Sequence, residues 1–271
     1  MKRANLPGPP LATRFLRMTD TSHAQARLFC FPFAGGSAAV FAGWGEKLKP
    51  GIEVWAAHPR GRGRRFSEPP HRSVAEMVQD YLPVLRAHLD LPFAFYGHSL
   101  GGLLALELEQ QLRAEGLPLP GHLFIGASAP PVAGLIHPGI SHLSDEGFVT
   151  AVQERYSGIP ESVLKESDLM QIFLPALKAD FSAYETFDRN GVTQVRCPIT
   201  AFAGRDDAVI APDVMQDWCR HTEVSFDLRI VPGDHFFLSI SGELVLSTIR
   251  EKMSSTLPEE HSAAERDEIH S

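Results

Sequence analysis

The apolar run Phe93-Ala94-Phe95-Tyr96 leads directly into Gly97-His98-Ser99-Leu100-Gly101-Gly102 and then into a second apolar stretch, Leu103 to Leu112. Positions 97 to 101 therefore read G-x-S-x-G between a strand pattern and a helix pattern, and this context constrains the fold more than any other feature of the chain. A strand that turns sharply into a helix strains the backbone at the central residue, and glycines on both sides give the clearance such a turn needs. Ser99 Oγ is thereby lifted to the carboxyl end of a sheet. The new helix aims its N-terminal amides at the same point, which makes the Leu100 N–H a candidate oxyanion donor. A bare G-x-S-x-G arises by chance in many proteins. Between strand and helix, it predicts a serine nucleophile that cleaves an acyl bond.

Short apolar runs alternate with helical patterns along the rest of the body, the signature of a mostly parallel sheet with crossover helices. The predicted strands are Leu28 to Phe33, Glu53 to Ala57, Phe93 to Tyr96, His122 to Gly126, Ile199 to Ala203 and Asp227 to Val231. Ser73-Val74-Ala75-Glu76 reads as a capping box that starts a helix, with Glu76 reaching back to the Ser73 N–H. From about 139 to 190 the alternation stops, and helix-like segments (Ser144 to Tyr156, Val163 to Glu166, Asp168 to Ala183) read as an inserted helical lid. Phe148, Val152, Ile172, Phe173, Leu174 and Phe181 either shape an acyl pocket there or simply pack the lid onto the sheet. The expected organisation is a flexible N-terminal segment (1–22), a single α/β domain (23–253) and a flexible acidic tail (254–271).

Serine is a weak nucleophile at its ordinary pKa, so Ser99 requires a histidine base and a carboxylate that orients it, in the chain order Ser, Asp, His. The predicted strand at Ile199 ends in Gly204 and is followed by Arg205-Asp206-Asp207. The last predicted strand is followed by Pro232-Gly233-Asp234-His235-Phe236, whose loop presents His235 as the base. Asp206 and Asp207 compete for the acid. His98, inside the elbow, cannot easily reach back to Ser99 Oγ and reads as a local packing residue or a substrate contact rather than the base.

The second oxyanion donor should come from the loop after the first core strand, Phe31-Pro32-Phe33-Ala34-Gly35-Gly36-Ser37. Ala34 N–H is the first choice and Gly35 the second. Phe33, Gly35, His98 and Phe236 are the expected substrate-binding residues. The chain lacks the lysine of a phosphate-binding P-loop and any metal-ligand spacing such as HExxH, so neither nucleotide nor metal is implied.

With 271 residues, 44% hydrophobic, the chain can bury a substantial core, and its formal charge of -8 argues against nucleic acid as a partner. No apolar run approaches the ~20 residues of a membrane helix, and the proline-broken start MKRANLPGPPLATRF does not read as a signal peptide. Cys30, Cys197 and Cys219 are widely spaced with no CxxC, which suits reduced thiols, a cytoplasmic location and a role in packing. A monomer is compatible with this surface.

Taken together, FPFAGGSA (31–38), HPRGRGRRFSEPP (58–70), YGHSLGG (96–102), LPALKADFSAYETF (174–187), AGRDD (203–207) and PGDHFFL (232–238) resemble the type II thioesterases of nonribosomal peptide and polyketide synthases. The resemblance runs from about residue 14 to 250 and implies an α/β-hydrolase fold with a helical lid. It also implies hydrolysis of acyl groups from the phosphopantetheine arm of acyl or peptidyl carrier proteins, with no cofactor of the enzyme's own. Asp207 rather than Asp206 occupies the position usual for the acid in α/β hydrolases. The arginine run between 60 and 72 is unusual in an acidic chain: either it attracts an acidic carrier protein or the pantetheine phosphate, with Arg62 and Arg64 as the expected contacts, or it is a solvated loop whose arginines form local structural bonds. A carboxylesterase or lipase is the alternative enzyme, although its oxyanion loop is commonly of HGGG type. A non-catalytic binding protein of the same fold is the alternative outside enzymes.

Overall fold

In a computed structural model, which describes residues 13–19, 23–156 and 167–254, the apolar runs sort their side chains by parity onto two faces of one sheet. Phe29, Phe31, Phe93 and Phe95 enter one core cluster, while Leu28, Cys30, Ala94 and Tyr96 enter a second on the opposite face. Strands buried on both faces need apolar residues at successive positions, which is why these runs read as continuous rather than alternating. The described residues contain seven strands: β1 (Phe15–Arg17), β2 (Ala26–Phe31), β3 (Ile52–Ala57), β4 (Phe93–His98), β5 (Leu123–Gly126), β6 (Ile199–Gly204) and β7 (Phe226–Val231). Their order across the sheet is β1-β3-β2-β4-β5-β6-β7. Only β1 runs antiparallel, pairing Phe15 with Ala57; every other neighbour is parallel. All six predicted strands are present, with ends shifted by two residues or fewer.

Helices cover both faces. On the phenylalanine side lie α2 (Val74–Arg86), through Met77 and Tyr81, and α3 (Leu100–Ala114), through Leu104 and Leu108. On the other lie α1 (Trp44–Leu48) and the C-terminal helix (Leu238–Ser254), through Val245 and Ile249. Ser73 caps α2 as expected, accepting from the Glu76 N–H at 3.2 Å. The Glu76 carboxylate, however, takes the Arg72 N–H at 2.7 Å rather than that of Ser73.

One expectation changes at the N-terminal side. Within the segment expected to be flexible, Phe15–Arg17 forms β1. Phe15 is only 3% exposed and meets Phe29, Phe31 and Tyr81 edge-on, with ring centroids 5.6, 6.0 and 5.2 Å apart. One buried aromatic ring, with a transfer free energy of about 1.5–3 kcal/mol, outweighs a composition that otherwise favours disorder. Glu53, buried near the start of β3, is tolerated because Arg17 and Arg27 both pair with it.

Between β5 and β6 the chain forms α4 (Asp145–Tyr156) and α5 (Ser167–Glu185). The segment Val163 to Glu166 lies outside the described residues. Phe148, Val152, Leu174, Leu177 and Phe181 form a small core of their own with Ile140. Glu185, at the end of α5, accepts the Ile140 N–H at 2.6 Å and ties the start of this segment to its end. A short helix α6 (Pro212–Gln216) follows β6, so the C-terminal helix Leu238–Ser254 is α7.

Candidate active site

The elbow between β4 and α3 holds Ser99 at φ 53°, ψ -116°, a left-handed conformation that a non-glycine residue adopts only under constraint. The constraint is close approach. A Cβ at Gly97 would lie 2.1 Å from the Gly101 carbonyl oxygen, and one at Gly101 would lie 2.1 Å from that of Phe31. The turn is held by the Ser99 N–H, which donates to the Gly126 carbonyl on β5 at 2.8 Å.

Two other strand ends deliver the remaining groups. His235, in the loop between β7 and α7, has Nε2 3.1 Å from Ser99 Oγ and Nδ1 2.9 Å from Asp207 Oδ2. With the carboxylate ionised, Nδ1 carries the proton and donates to Asp207, leaving Nε2 to accept from the serine hydroxyl. The other oxygen of Asp207 accepts the Val209 and Ile210 N–H groups at 2.8 and 3.0 Å. Burial by itself would raise the Asp207 pKa, but the bond to His235, the ring's charge and these two amides outweigh it and hold the carboxyl below its ordinary value. Asp206 is exposed, so Asp207 alone of the two faces the histidine.

The Ala34 and Leu100 N–H groups have no acceptor among the described residues, and both residues line the same cavity as Ser99 and His235. Gly35 is different. Its N–H donates to Asp180 on α5 at 2.7 Å, which removes it as the alternative oxyanion donor.

The cavity above the serine has a volume of about 560 Å³. Phe33, Gly35 and Phe236 line it as expected, and so do Val152, Phe173 and Phe181 from the two inserted helices. Phe148 and Leu174 instead pack inside the insertion, and Ile172 points outward, half exposed. Tyr156, Leu177 and Tyr184 also line the cavity and were not expected. A helical period along α5, namely Phe173, Leu177, Phe181 and Tyr184, carries the signal that would have found two of them. Tyr156 sits edge-on to the His235 ring, with centroids 5.3 Å apart.

His98 is not a substrate contact. It is fully buried behind the histidine loop, with Nε2 2.7 Å from the His235 carbonyl oxygen and Nδ1 3.2 Å from the Tyr96 hydroxyl. Burial, reinforced by neighbouring His235, pushes its pKa down to about 3. The ring is therefore neutral, with Nε2–H donating to the carbonyl.

Nor is Arg62 a docking residue. Its guanidinium turns inward, donating to the Gly36 carbonyl at 2.8 Å and pairing with buried Asp180 at 2.6 Å. Asp80 likewise gathers Arg14, Arg60, Arg65 and His71. Two buried carboxylates thus explain most of the arginine run, since a charge taken out of water requires a partner. Arg64 is exposed, and its guanidinium has no partner among the described residues. No cluster of three or more metal-ligating side chains occurs among the described residues, and none of their helices is long and apolar enough to cross a membrane.

The family model described as "Thioesterase domain" matches residues 26–253. The gramicidin S biosynthesis protein GrsT of Aneurinibacillus migulanus is 34% identical over 224 residues, covering 83% of this chain and 87% of GrsT. Among solved structures, the type II thioesterase BorB from the borrelidin biosynthetic cluster superposes with a TM-score of 0.80 at 31% identity, covering 89% of this chain and 98% of BorB. The RedJ thioesterase from the prodiginine pathway of Streptomyces coelicolor gives 0.78 at 31% identity, covering 87% and 89%. The shared architecture is the α/β-hydrolase fold.

Proposed function

The chain belongs to the thioesterase domain family, and we propose that it works there as a type II enzyme, hydrolysing acyl groups from the phosphopantetheine arm of carrier proteins through an acyl-Ser99 intermediate. The observation that carries this reading is the continuous chain Asp207–His235–Ser99, with contacts of 2.9 and 3.1 Å, at the floor of an apolar cavity. Its relatives come from assembly-line pathways: GrsT is named for gramicidin S biosynthesis, and BorB is called a type II thioesterase of the borrelidin cluster.

In the forward step His235 Nε2 removes the hydroxyl proton as Ser99 Oγ attacks the thioester carbonyl. The developing oxyanion is stabilised by the Ala34 and Leu100 N–H groups. Asp207 keeps the imidazole in the required tautomer and stabilises its charged form. The protonated His235 then gives its proton to the departing pantetheine sulfur, leaving an ester on Ser99. A water, deprotonated by the same nitrogen, attacks that ester; collapse frees the acid and returns the proton to Ser99. The phosphopantetheine belongs to the carrier, so the enzyme brings no cofactor of its own. Arg64 is retained as a contact for an acidic carrier. Two buried cysteines, Cys30 and Cys197, and one exposed, Cys219, all unpaired, are in keeping with a cytoplasmic enzyme.

Intact-mass analysis after treatment with a fluorophosphonate tests the nucleophile. A single adduct on the native chain, absent from Ser99→Ala, is the expected result. No adduct on the native chain would favour a non-catalytic binding protein instead.

A further inference from the structure

Asp180 sits on the cavity side of α5, buried, with its carboxylate wedged against the loop that carries Ala34. A carboxylate removed from water on an otherwise apolar helix face needs strong partners, and it has two. One oxygen accepts the Gly35 N–H at 2.7 Å and the Arg62 guanidinium at 2.6 Å. Arg62 closes the ring by donating to the Gly36 carbonyl at 2.8 Å.

The consequence for Ala34 follows from peptide geometry. A trans peptide points its C=O and N–H in opposite directions, so holding one orients the other. The Phe33 carbonyl is held by the Gly36 N–H at 2.8 Å, which sets the direction of the Ala34 N–H on the same peptide. The following peptide, between Ala34 and Gly35, is held by Asp180. Both peptide planes that flank Ala34 are therefore fixed, one within the loop and one from the inserted helix. Without the carboxylate, the second plane is free to rotate.

We infer that Asp180 is a positioning residue: the Gly36–Phe33 bond aims the Ala34 N–H, Asp180 fixes the central peptide of that same turn, and the turn therefore keeps the shape that presents this oxyanion donor only while α5 lies against the loop. This rests on the thioesterase reading above. A mere tether between α5 and the loop would have a different signature, since loosening it would alter stability and the binding of any ligand alike. A positioning role acts selectively on the tetrahedral species.

The test compares two ligands on native protein, Asp180→Asn and Asp180→Ala: an acyl-pantetheine trifluoromethyl ketone, which forms a tetrahedral adduct with the serine, and the thioether analogue that lacks a carbonyl. Hydrolysis of the matching acyl-pantetheine thioester is measured alongside. For Asp180→Ala, kcat should fall about 10- to 100-fold with KM little changed, less than the about 10²- to 10³-fold loss from deleting an oxyanion donor. Trifluoromethyl ketone affinity should fall with kcat, while thioether affinity stays within about twofold, the pattern of an interaction made only in the transition state. Asp180→Asn keeps an oxygen acceptor for the Gly35 N–H and should recover part of the loss; it also carries the comparison if the alanine variant does not fold. Unchanged kcat in a folded variant, or equal losses for both ligands, would overturn the inference. If native protein itself neither turns over the thioester nor prefers the ketone, the thioesterase reading fails first.

Discussion

Nε2 of His98 donates to the carbonyl oxygen of His235 at 2.7 Å, joining the x position of the serine elbow to the backbone of the histidine that reaches Ser99 Oγ. The two residues are far apart in sequence, and this bond ties the elbow to the histidine loop from behind, in addition to the Ser99–His235 contact at 3.1 Å. Truncating His98 leaves a buried carbonyl without its donor, a cost of about 1–3 kcal/mol that falls on the base's own loop. His98→Ala should lower kcat by about 10-fold or more, with a smaller change in KM, if that cost is felt as misplacement of Nε2. His98→Gln, which can still donate, should recover part of it. Steady-state kinetics on an acyl-pantetheine decide the matter, and a His98→Ala enzyme with native kcat would show that the loop holds itself.

The two aspartates after β6 make a sharp contrast. Asp207→Asn should lower kcat by about 10³- to 10⁴-fold, because an amide no longer enforces the tautomer that leaves Nε2 as acceptor. Asp206→Asn should be within about twofold of native activity, being an exposed surface change. Parallel kcat measurements on the two variants check both statements.

Stability should fall in mild acid because of buried neutral histidines. His122, stacked on Phe124 and bonded to Thr200 at 2.8 Å, has its pKa lowered to about 4 by burial and then by the Lys252 charge. Below its unfolded pKa of about 6.5 the unfolded chain binds a proton that the folded protein refuses, so the unfolding free energy decreases as pH falls. The slope contributed by this one group approaches about 1.4 kcal/mol per pH unit until its folded pKa is reached. His98, at about 3, adds a similar term over a wider window. Urea unfolding between pH 7 and 4.5 should therefore show a shallower pH slope for His122→Gln than for the native chain. An identical slope would mean that His122 is protonated in the folded state.

The cavity chemistry sets a limit on the acyl group. Its lining residues are mostly aliphatic and aromatic, with Ser37, Ser99, Tyr156, Tyr184, Ser239 and the His235 imidazole as the polar side chains, and none is an Asp, Glu, Lys or Arg. A carboxylate-bearing acyl chain would lose its hydration there without a cation to replace it, a penalty of several kcal/mol. Hexanoyl-pantetheine should exceed succinyl-pantetheine in kcat/KM by at least about 100-fold. A competition assay with both thioesters measures the ratio directly.

How much of this was legible in the sequence differs by residue. The strands were readable because buried parallel strands demand continuous apolar runs, and the elbow because only glycine fits at positions 97 and 101. Ser99, His235 and the oxyanion loop follow from those strand ends. Asp207 is preferred to Asp206 only through the family resemblance, since adjacent residues differ only in which way the chain turns; in the structure it is Asp207 that reaches His235. β1 was hidden because three residues anchored by one ring barely alter the composition of a polar segment. The docking reading of Arg62 and the substrate-contact reading of His98 fail for a shared reason: each answers a partner more than 100 residues away, Asp180 and the His235 carbonyl, which no local pattern announces.

The central claim is an acyl ester on Ser99 formed from a carrier-bound thioester, and rapid-quench mass spectrometry tests it most directly. Native protein is mixed with excess hexanoyl carrier protein, quenched in acid within milliseconds, and digested. The account predicts a hexanoyl adduct on the peptide containing Ser99, with free carrier thiol released ahead of hexanoic acid, and neither with Ser99→Ala. Turnover by Ser99→Ala at the native rate, or hexanoyl found on another residue, would contradict it.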